Sequence, residues 1–232
     1  MVEIKKKVKK ILISQPQPEG KSPYAILEKK HKVKIDFIPF MHVSEITAME
    51  FKEQRISILN HDAVIFTSKN AMDHYFGMME KLRLRIPDYT KYFCVSEAIA
   101  HYLQNFITYR KRKIFTGEQT LASLIPIMKK HSESKFIFPC SDLLKNVMNK
   151  SLEASGLNYT KAQMYKVSCS DLSDLSDVKY DILVFFSPTG VKSLLENFPN
   201  FKQEETRIAV FGPTTIKSVE DEINNSFIVT GT

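Results

Sequence analysis

An internal repeat constrains the fold of this chain more than any other feature of its 232-residue sequence. Residues 181–195 follow the pattern of residues 62–76 without a gap. In each copy an Asp opens a short run of branched and aromatic residues. A small polar turn containing Ser68 or Ser187 ends the run, and apolar residues then return at helical spacing. Each copy therefore predicts a strand buried on both faces of a parallel sheet, followed by a loop and a helix.

Further predicted strands repeat in the same order along the chain. The matched segments are residues 94–100 with 210–216 and residues 114–117 with 228–231. The second set has one strand fewer than the first, and the N-terminal residues 11–14 form an unmatched apolar run that resembles residues 136–140. We therefore expect the N-terminal strand to complete the sheet of the second set.

Two segments of alternating apolar and polar residues separate the repeated parts. Residues 33–41 and 158–167 have the pattern of a strand with one exposed face, and Pro39 disfavours a central position in a sheet. We expect these segments to cross between domains and to pair with each other as a two-stranded β ladder. Residues 44–58 are rich in helix formers and predict a helix.

The repeat predicts an α/β fold of two similar domains, each with a parallel sheet flanked by helices as in flavodoxin and Rossmann folds. Domain 1 is expected to be discontinuous, combining residues 1–39 with residues 168–232, and domain 2 is the inserted stretch 43–163. The linker strands are expected near residues 38–42 and 164–167. Because each domain would be self-contained, the linker would act as a hinge, with a ligand between the carboxyl ends of the two sheets.

The composition indicates a globular protein that attracts anions. Hydrophobic residues make up 43% of the chain, charged residues make up 25%, and the formal net charge is +7. Such a charge suits nucleic acid, an anionic membrane, or a polycarboxylate or phosphate metabolite. The basic residues 5–10 form a terminal tail. Residues 110–113 lack interleaved aromatic residues that could stack on bases, so we expect no nucleic-acid partner.

The sequence also predicts a location and disfavours several common sites. No apolar run approaches the roughly 20 residues of a membrane helix, and no apolar signal region follows the lysine-rich N-terminus. We therefore expect a cytoplasmic protein without a membrane partner. Cys94, Cys140 and Cys169 have no metal-binding spacing and are expected to be reduced thiols. There is no i, i+4 histidine pair, glycine-rich nucleotide motif or G-x-S-x-G sequence, so we expect no metal and no cofactor.

The most suggestive residues are polar and glycine positions at the carboxyl ends of predicted strands. They are Ser14, Thr67, Ser68, Lys69, Asn70, Ser187, Thr189, Gly190, Thr214 and Thr215. Loops that open helices bind anions because the first helical N–H groups lack partners and lie at the positive end of the helix dipole. The same Ser, Thr and Asn residues are also suited to capping their helices, so the sequence leaves anion binding and N-capping open.

Several segments resemble the uroporphyrinogen-III synthase family in their order and spacing. The segments are residues 62–71, 136–140, 164–165, 185–191 and 210–215. The resemblance covers nearly the whole chain, and members of that family consist of two α/β domains joined by a two-stranded ladder. The chain departs from the family at Gln15, where members often have Arg, and at Ser96 and Ile99, where they have Gly and Thr.

This resemblance implies a cofactor-independent hydro-lyase of tetrapyrrole (haem) biosynthesis. Such an enzyme converts hydroxymethylbilane, a linear tetrapyrrole, to uroporphyrinogen III with loss of water, closure of the macrocycle and inversion of ring D. Tyr165 matches a tyrosine in the family's linker strand that has been suggested to assist departure of the hydroxyl, and it is the catalytic candidate. We expect a monomer. The alternative, from a different functional class, is a non-catalytic two-domain protein that binds a polyanionic metabolite.

Overall fold

The structure is a computed structural model, and it describes residues 7–18, 20, 22, 24–146, 150–176, 178–223 and 228–231. The β-strands are β1 Lys10–Ile13, β2 Lys34–Phe37, β3 Met41–Glu45, β4 Ala63–Phe66, β5 Lys91–Cys94, β6 Ile114–Thr116, β7 Phe136–Ser141, β8 Tyr159–Cys169, β9 Ile182–Phe185, β10 Arg207–Phe211 and β11 Ile228–Gly231. The α-helices are α1 Tyr24–His31, α2 Ala48–Glu53, α3 Lys69–Lys81, α4 Glu97–Tyr102, α5 Leu121–Lys129, α6 Asp142–Asn146, α7 Lys150–Glu153, α8 Pro188–Asn197 and α9 Pro213–Glu222. Residues 5–6 of the basic tail, residues 147–149 and Phe227, for which the sequence predicts tail, helix and strand respectively, lie outside the described residues.

The chain forms two compact units. Unit 1 consists of residues 1–42 and 168–232, and unit 2 consists of residues 43–167. The boundaries between the units fall within β3 and β8, which are neighbours in the second sheet. Both units combine parallel strands with flanking helices, which confirms the predicted α/β fold class.

The sheet of unit 1 has the strand order β11-β10-β9-β1-β2. Its pairings are parallel, with Leu12 opposite Leu183 and Phe185 opposite Val210. β1 lies between β2 and β9, so the N-terminal strand does complete the sheet of the second set of strands, as predicted. Burial explains why it joins there, because Leu12 and Ile13 are each only 2% exposed.

The sheet of unit 2 has the order β3-β8-β7-β4-β5-β6, and the pairings from β8 to β6 are parallel. β4 is buried at every position, as expected for a strand covered on both faces. The order β8-β7-β4-β5-β6 matches β2-β1-β9-β10-β11 of unit 1, with each strand in the place of its sequence repeat. The sequence repeat is therefore a repeat of topology, and β3 is the additional strand of unit 2.

The Asp that opens each copy of the repeat has the same structural role in both units. Asp62 Oδ1 accepts a hydrogen bond of 2.7 Å from the Lys135 N–H, just before β7. Asp181 Oδ2 accepts hydrogen bonds of 2.7 and 2.9 Å from the N–H groups of Lys9 and Lys10, where β1 begins. Each carboxylate satisfies backbone donors of the neighbouring strand, which explains the shared Asp without a catalytic role.

The predicted strand over residues 33–41 is wrong in its extent. β2 ends at Phe37, and β3 begins at Met41. Pro39 lies in the gap, where its fixed φ and missing N–H interrupt a continuous ladder. The neighbour of β8 is β3 and not β2, which pairs with β1, so only Met41 of the predicted segment 33–41 lies in the strand beside β8. β8 also pairs with β7 and so belongs to the sheet of unit 2.

The predicted helix over residues 44–58 is shorter in the structure. Ser44 lies in β3, and α2 begins only after Thr47. The Thr47 side chain accepts from the Glu50 N–H at 3.2 Å, and the Glu50 carboxylate accepts from the Thr47 N–H at 2.7 Å. This reciprocal capping box fixes the start of the helix. The helix ends just before Arg55, whose φ of +56° lies in the left-handed region.

Apolar side chains cover the two sheets differently. In unit 2, Phe66 belongs to one buried cluster and its neighbour Ile65 to another, so both faces of β4 are covered. In unit 1, Phe185 and Val210 belong to one cluster, whereas the alternate residue Val184 is only half-buried. One face of β9 and β10 is therefore well covered, and the other face is partly exposed.

Candidate functional site

Two predicted serines of unit 1 lie together at the carboxyl end of its sheet. Ser14 directly follows β1, and the adjacent strand β9 leads into Ser187. A Cβ atom placed on Gly190 would lie 3.5 Å from the Ser14 Oγ and 3.8 Å from the Ser187 Oγ. The Ser14 N–H donates to the Val184 carbonyl at 3.1 Å, which holds the start of the loop against β9. Ser14 and Ser187, hereafter the serine pair, thus converge beside a residue without a side chain.

Ser187 is the N-cap of α8 and contacts a further predicted residue. Its Oγ accepts a hydrogen bond from the Gly190 N–H at 3.4 Å and lies 2.9 Å from the Thr189 Oγ1. Pro188 occupies the first helical position, where an N–H has no intrahelical partner in any case. A hydroxyl that accepts one bond can still donate its proton, so the capping role is compatible with anion binding.

The loop after β10 carries the other predicted residues of unit 1. Gly212 has a φ of +88°, in the region that favours glycine, and it precedes α9. Thr215 is only 1% exposed, and its N–H donates to the Gly212 carbonyl at 3.2 Å. The Thr214 side chain is exposed. Within unit 1, Thr214 is therefore the more accessible residue of this pair.

In unit 2, the loop after β4 is the counterpart of the Ser187 loop after β9. It carries four predicted residues, Thr67, Ser68, Lys69 and Asn70. Ser68 is the N-cap of α3, and its Oγ accepts from the Ala71 N–H at 3.1 Å. The Lys69 Nζ lies 5.0 Å from the centroid of the Tyr102 ring, within the range of a cation–π contact. Thr67 is half-buried and Asn70 is exposed. The loop therefore presents an ammonium group and hydroxyls at the carboxyl end of β4.

Tyr165, the catalytic candidate, lies at the same end of the sheet of unit 2. It is opposite Ser141, the last residue of β7. Tyr165 is only 5% exposed and forms part of the core of unit 2, as a packing residue would. Its hydroxyl, however, has the Ser68 hydroxyl as a neighbour, and interaction with that hydroxyl lowers the pKa of Tyr165. The proposed catalyst and a proposed anion-binding serine are therefore neighbours.

The surroundings of Tyr165 keep its phenol protonated. Burial raises the pKa of Tyr165, and the neighbouring Ser68 hydroxyl lowers the pKa by a smaller amount. Because Ser68 accepts from the Ala71 N–H, its own proton can be donated to the Tyr165 oxygen, which leaves the phenol proton for another acceptor. The His74 ring stacks on Tyr165 with centroids 4.9 Å apart, and burial lowers the pKa of His74. The phenol thus has an imidazole neighbour that is mostly uncharged at neutral pH.

Three further hydroxyl residues of unit 2 occupy strand-end positions that the sequence prediction missed. Ser96, Thr120 and Ser141 accept hydrogen bonds from the N–H groups of Ile99, Ser123 and Leu144 at 3.4, 3.2 and 3.3 Å. The sequence signal is the same for all of them, a Ser or Thr between a strand and a helix. Ser141 is the most relevant addition, because it lies opposite Tyr165 in the sheet.

Three negative findings apply to the part of the chain that the structure describes. It contains no group of three or more His, Cys, Asp or Glu residues that could hold a metal ion. It also contains no helix that is long and apolar enough to cross a membrane. None of Cys94, Cys140 and Cys169, all within that part, forms a disulfide bond.

Comparison with known proteins decides the family. The family model of uroporphyrinogen-III synthase HemD matches residues 24–227. The chain belongs to the uroporphyrinogen-III synthase family. This assignment confirms the family, the cofactor-independent lyase class and the role in haem biosynthesis that the sequence resemblance implied. It gives no support to the alternative of a non-catalytic binding protein.

Solved uroporphyrinogen-III synthases share the fold of this family member. The enzyme from Helicobacter pylori is 19% identical, with a TM-score of 0.61 over 95% of this chain and 92% of that chain. A mutant of the enzyme from Thermus thermophilus is 15% identical, with a TM-score of 0.57 over 97% of this chain and 93% of that chain. At these identities the likeness concerns the fold alone. Comparison with curated protein sequences found no significant match.

Proposed function

We propose that the chain converts hydroxymethylbilane to uroporphyrinogen III, with loss of water and inversion of ring D. The observation that supports this reaction is the match to the uroporphyrinogen-III synthase family over residues 24–227. The pyrrole nitrogen of the substrate can itself expel the hydroxyl and give an azafulvene cation. The protein then has to hold a flexible chain so that the correct carbon of ring D attacks, by way of a spiro intermediate. Positioning is therefore the main catalytic requirement.

Tyr165 is the proposed hydrogen-bond donor to the departing hydroxyl. Its phenol is protonated at neutral pH, and Ser68 can donate to the phenol oxygen rather than compete for the phenol proton. As the C–O bond breaks, its electron pair remains with the oxygen, which takes up a proton from the surrounding water and leaves as water, while Tyr165 keeps its own proton and donates a hydrogen bond. A donor fixed by packing stabilises the charge on that oxygen without having to reorganise.

The strand-end loops of each unit are the proposed binding positions for the substrate carboxylates. In unit 1 the serine pair, Thr189, Gly190 and the loop with Thr214 and Thr215 supply hydroxyls and helix N-termini. In unit 2 the residues Thr67, Ser68, Lys69 and Asn70 supply hydroxyls, an amide and a cation. Helix N-termini and a net charge of +7 both favour a polycarboxylate ligand.

The decisive experiment supplies purified protein with hydroxymethylbilane and separates the uroporphyrinogen isomers after oxidation to porphyrins. We expect isomer III to predominate, whereas a reaction without protein should give isomer I by spontaneous cyclisation. Isomer I alone in the presence of folded protein would refute the enzymatic proposal. Retention of the bilane by that protein would instead support the alternative of a non-catalytic binding protein.

We further infer that the enzyme acts in the cytoplasm as a monomer and has no nucleic-acid partner. The last part is supported by the basic residues 110–113, which have no interleaved aromatic residues that could stack on bases. Light scattering should give a mass near 26.7 kDa. Steeply salt-dependent DNA or RNA binding at low ionic strength would contradict the last part of this inference.

A further inference from the structure

Two aromatic rings form a partly exposed stack at the carboxyl end of the sheet of unit 1. The centroids of Phe186 and Phe211 are 4.7 Å apart, and their planes differ by only 4°. Phe186 follows β9 and Phe211 ends β10, and these strands are neighbours. Phe211 is 40% exposed, although burying a phenylalanine side chain is worth about 2 kcal/mol. The structure thus leaves a large apolar ring open beside the Ser187 loop.

The internal repeat shows that the scaffold does not require rings at these two positions. The equivalent residues of unit 2 are Thr67 and Val95, which follow β4 and β5 in the same topology. Val95 is 7% exposed, so the same place in unit 2 is filled by a small residue and closed. The two phenylalanines are therefore specific to unit 1, and the fold that the two units share does not require them.

The residue beside Phe211 in the sheet contributes no side chain to the stack. Phe211 lies opposite Gly231 of β11, and glycine has no side chain to cover the neighbouring ring. The centroid separation of 4.7 Å equals the spacing of about 4.8 Å between neighbouring strands. A flat ring stacked on the exposed Phe211 would continue the stack at a similar spacing. Unit 2 also has glycine at the equivalent position, Gly117, but lacks the adjacent rings.

We propose that the Phe186–Phe211 stack, hereafter the aromatic platform, binds one pyrrole ring of the linear tetrapyrrole. The inference rests on the proposed function and adds a stacking position to its carboxylate-binding loops. A pyrrole is flat and electron-rich, and offset stacking on a phenyl ring suits it. Ser187 directly follows Phe186, and Gly212 directly follows Phe211. A ring on the platform therefore places its acid side chains near the helix N-termini that those residues open.

The first test replaces each ring with the residue that the repeat places in unit 2. Phe186→Thr and Phe211→Val should each raise the KM for hydroxymethylbilane severalfold, and the double variant should raise it about tenfold, the usual effect of losing one stacked ring. Tyr89→Thr is the matched control, because Tyr89 is 61% exposed and precedes β5, at the amino end of the sheet of unit 2, whereas the strand-end loops lie at the carboxyl end. Its KM should equal that of the wild type.

The second test measures binding without turnover. The sequence contains no Trp, so Phe211→Trp would place a single indole in the platform while keeping an aromatic ring there. A bilane that carries methyl in place of the terminal hydroxymethyl group cannot lose water and serves as the probe. We expect this bilane to quench the indole fluorescence with a saturable dependence on its concentration. The Tyr89→Trp protein should show no such saturable quenching.

The outcomes separate this inference from the proposed function. If the wild type forms isomer III but the double variant keeps its KM and the indole is not quenched, the platform inference is wrong and the proposed function stands. If the wild type forms isomer I alone, the proposed function fails, and saturable quenching still decides whether the platform binds a bilane. A dimeric wild type that becomes monomeric on Phe211→Val would overturn the inference, because a second copy would then cover the platform.

Discussion

Gly190 offers the sharpest test of how unit 1 holds its ligand. It lies in the first turn of α8 and has no positive φ, so its backbone conformation does not require glycine. A Cβ atom there would lie 3.3 Å from the Phe185 Cδ1, 3.5 Å from the Ser14 Oγ and 3.8 Å from the Ser187 Oγ. Close packing beside the serine pair is therefore the physical reason for glycine, and Gly190→Ala tests it directly.

The expected stability change is the difference between two terms. Alanine is favoured over glycine within a helix by about 1 kcal/mol. Against this gain, a contact of 3.3 Å crowds Phe185, which is fully buried and packs edge-on against Phe40 at 5.7 Å, so it has little room to move. Overpacking of this kind costs about 1–3 kcal/mol. We expect a net loss of about 1 kcal/mol, or about 3 °C in the unfolding midpoint.

The expected functional change is an increase in KM, which is separate from the loss of stability. The added methyl group would lie against both hydroxyls of the serine pair, and loss of one ligand hydrogen bond costs about 1 kcal/mol, which is a fivefold increase in KM. The assay combines thermal unfolding with steady-state kinetics on hydroxymethylbilane.

Gly77→Ala is the control for this prediction. Gly77 lies within α3, and a Cβ atom there would have no neighbour within 4 Å among the described residues. The control should gain about 1 kcal/mol and keep its KM. If Gly190→Ala were stabilised as much as the control and kept the wild-type KM, the reasoning about close approach would be refuted.

Two further predictions concern ionisable groups of unit 2. Tyr165→Phe should lower kcat for isomer III at least tenfold while circular dichroism stays that of the folded wild type, because the phenol proton is lost and the ring is kept; an unchanged kcat would leave Tyr165 as a packing residue only. Burial raises the pKa of both Tyr92 and Cys94 to about 12, so between their ordinary values and pH 12 the unfolded chain binds fewer protons than the native protein. These groups should therefore leave the free energy of unfolding unchanged below about pH 9. Above that pH the free energy of unfolding, measured by urea titrations, should fall by at most about 1.4 kcal/mol per pH unit for each group. Tyr92→Phe should remove the part of this fall that is due to Tyr92.

The fold could be predicted from the sequence where a local sequence pattern marks a buried strand. β4 and β9 are both short apolar runs opened by an Asp, and the repeat placed them correctly in two parallel sheets. The extent of β3 and α2 was missed for two different reasons: strand pairing decides where β3 starts, and a local capping box decides where α2 starts. A strand pattern spans Pro39, but pairing with β8 starts only at Met41. Helix formers begin at Ser44, but the capping box forms at Thr47.

For the candidate site, the sequence could predict only which residues lie at strand ends, and not which of them lie together. Sequence position identified Ser14, Ser187 and Gly190 separately, and their convergence follows from β1 lying next to β9, which no local pattern encodes. Tyr165 and Ser68 are far apart in the sequence and become neighbours for the same reason. The aromatic platform was missed because the sequence predicts Phe186 as the last residue of an apolar strand. The exposure of the platform can be recognised only once the sheet is known.

The duplication supplies an internal control for deciding which residues serve the fold and which serve the ligand. Residues that both units share have matching structural roles: the Asp that opens each repeat binds the neighbouring strand, and the Ser that ends it caps a helix. Residues that differ between the units are not required by that common scaffold. Gly190 replaces alanine, and Phe186 and Phe211 replace threonine and valine, all at the carboxyl end of one sheet. An exchange of these three residues for their unit 2 counterparts should therefore weaken substrate binding far more than it changes the free energy of unfolding.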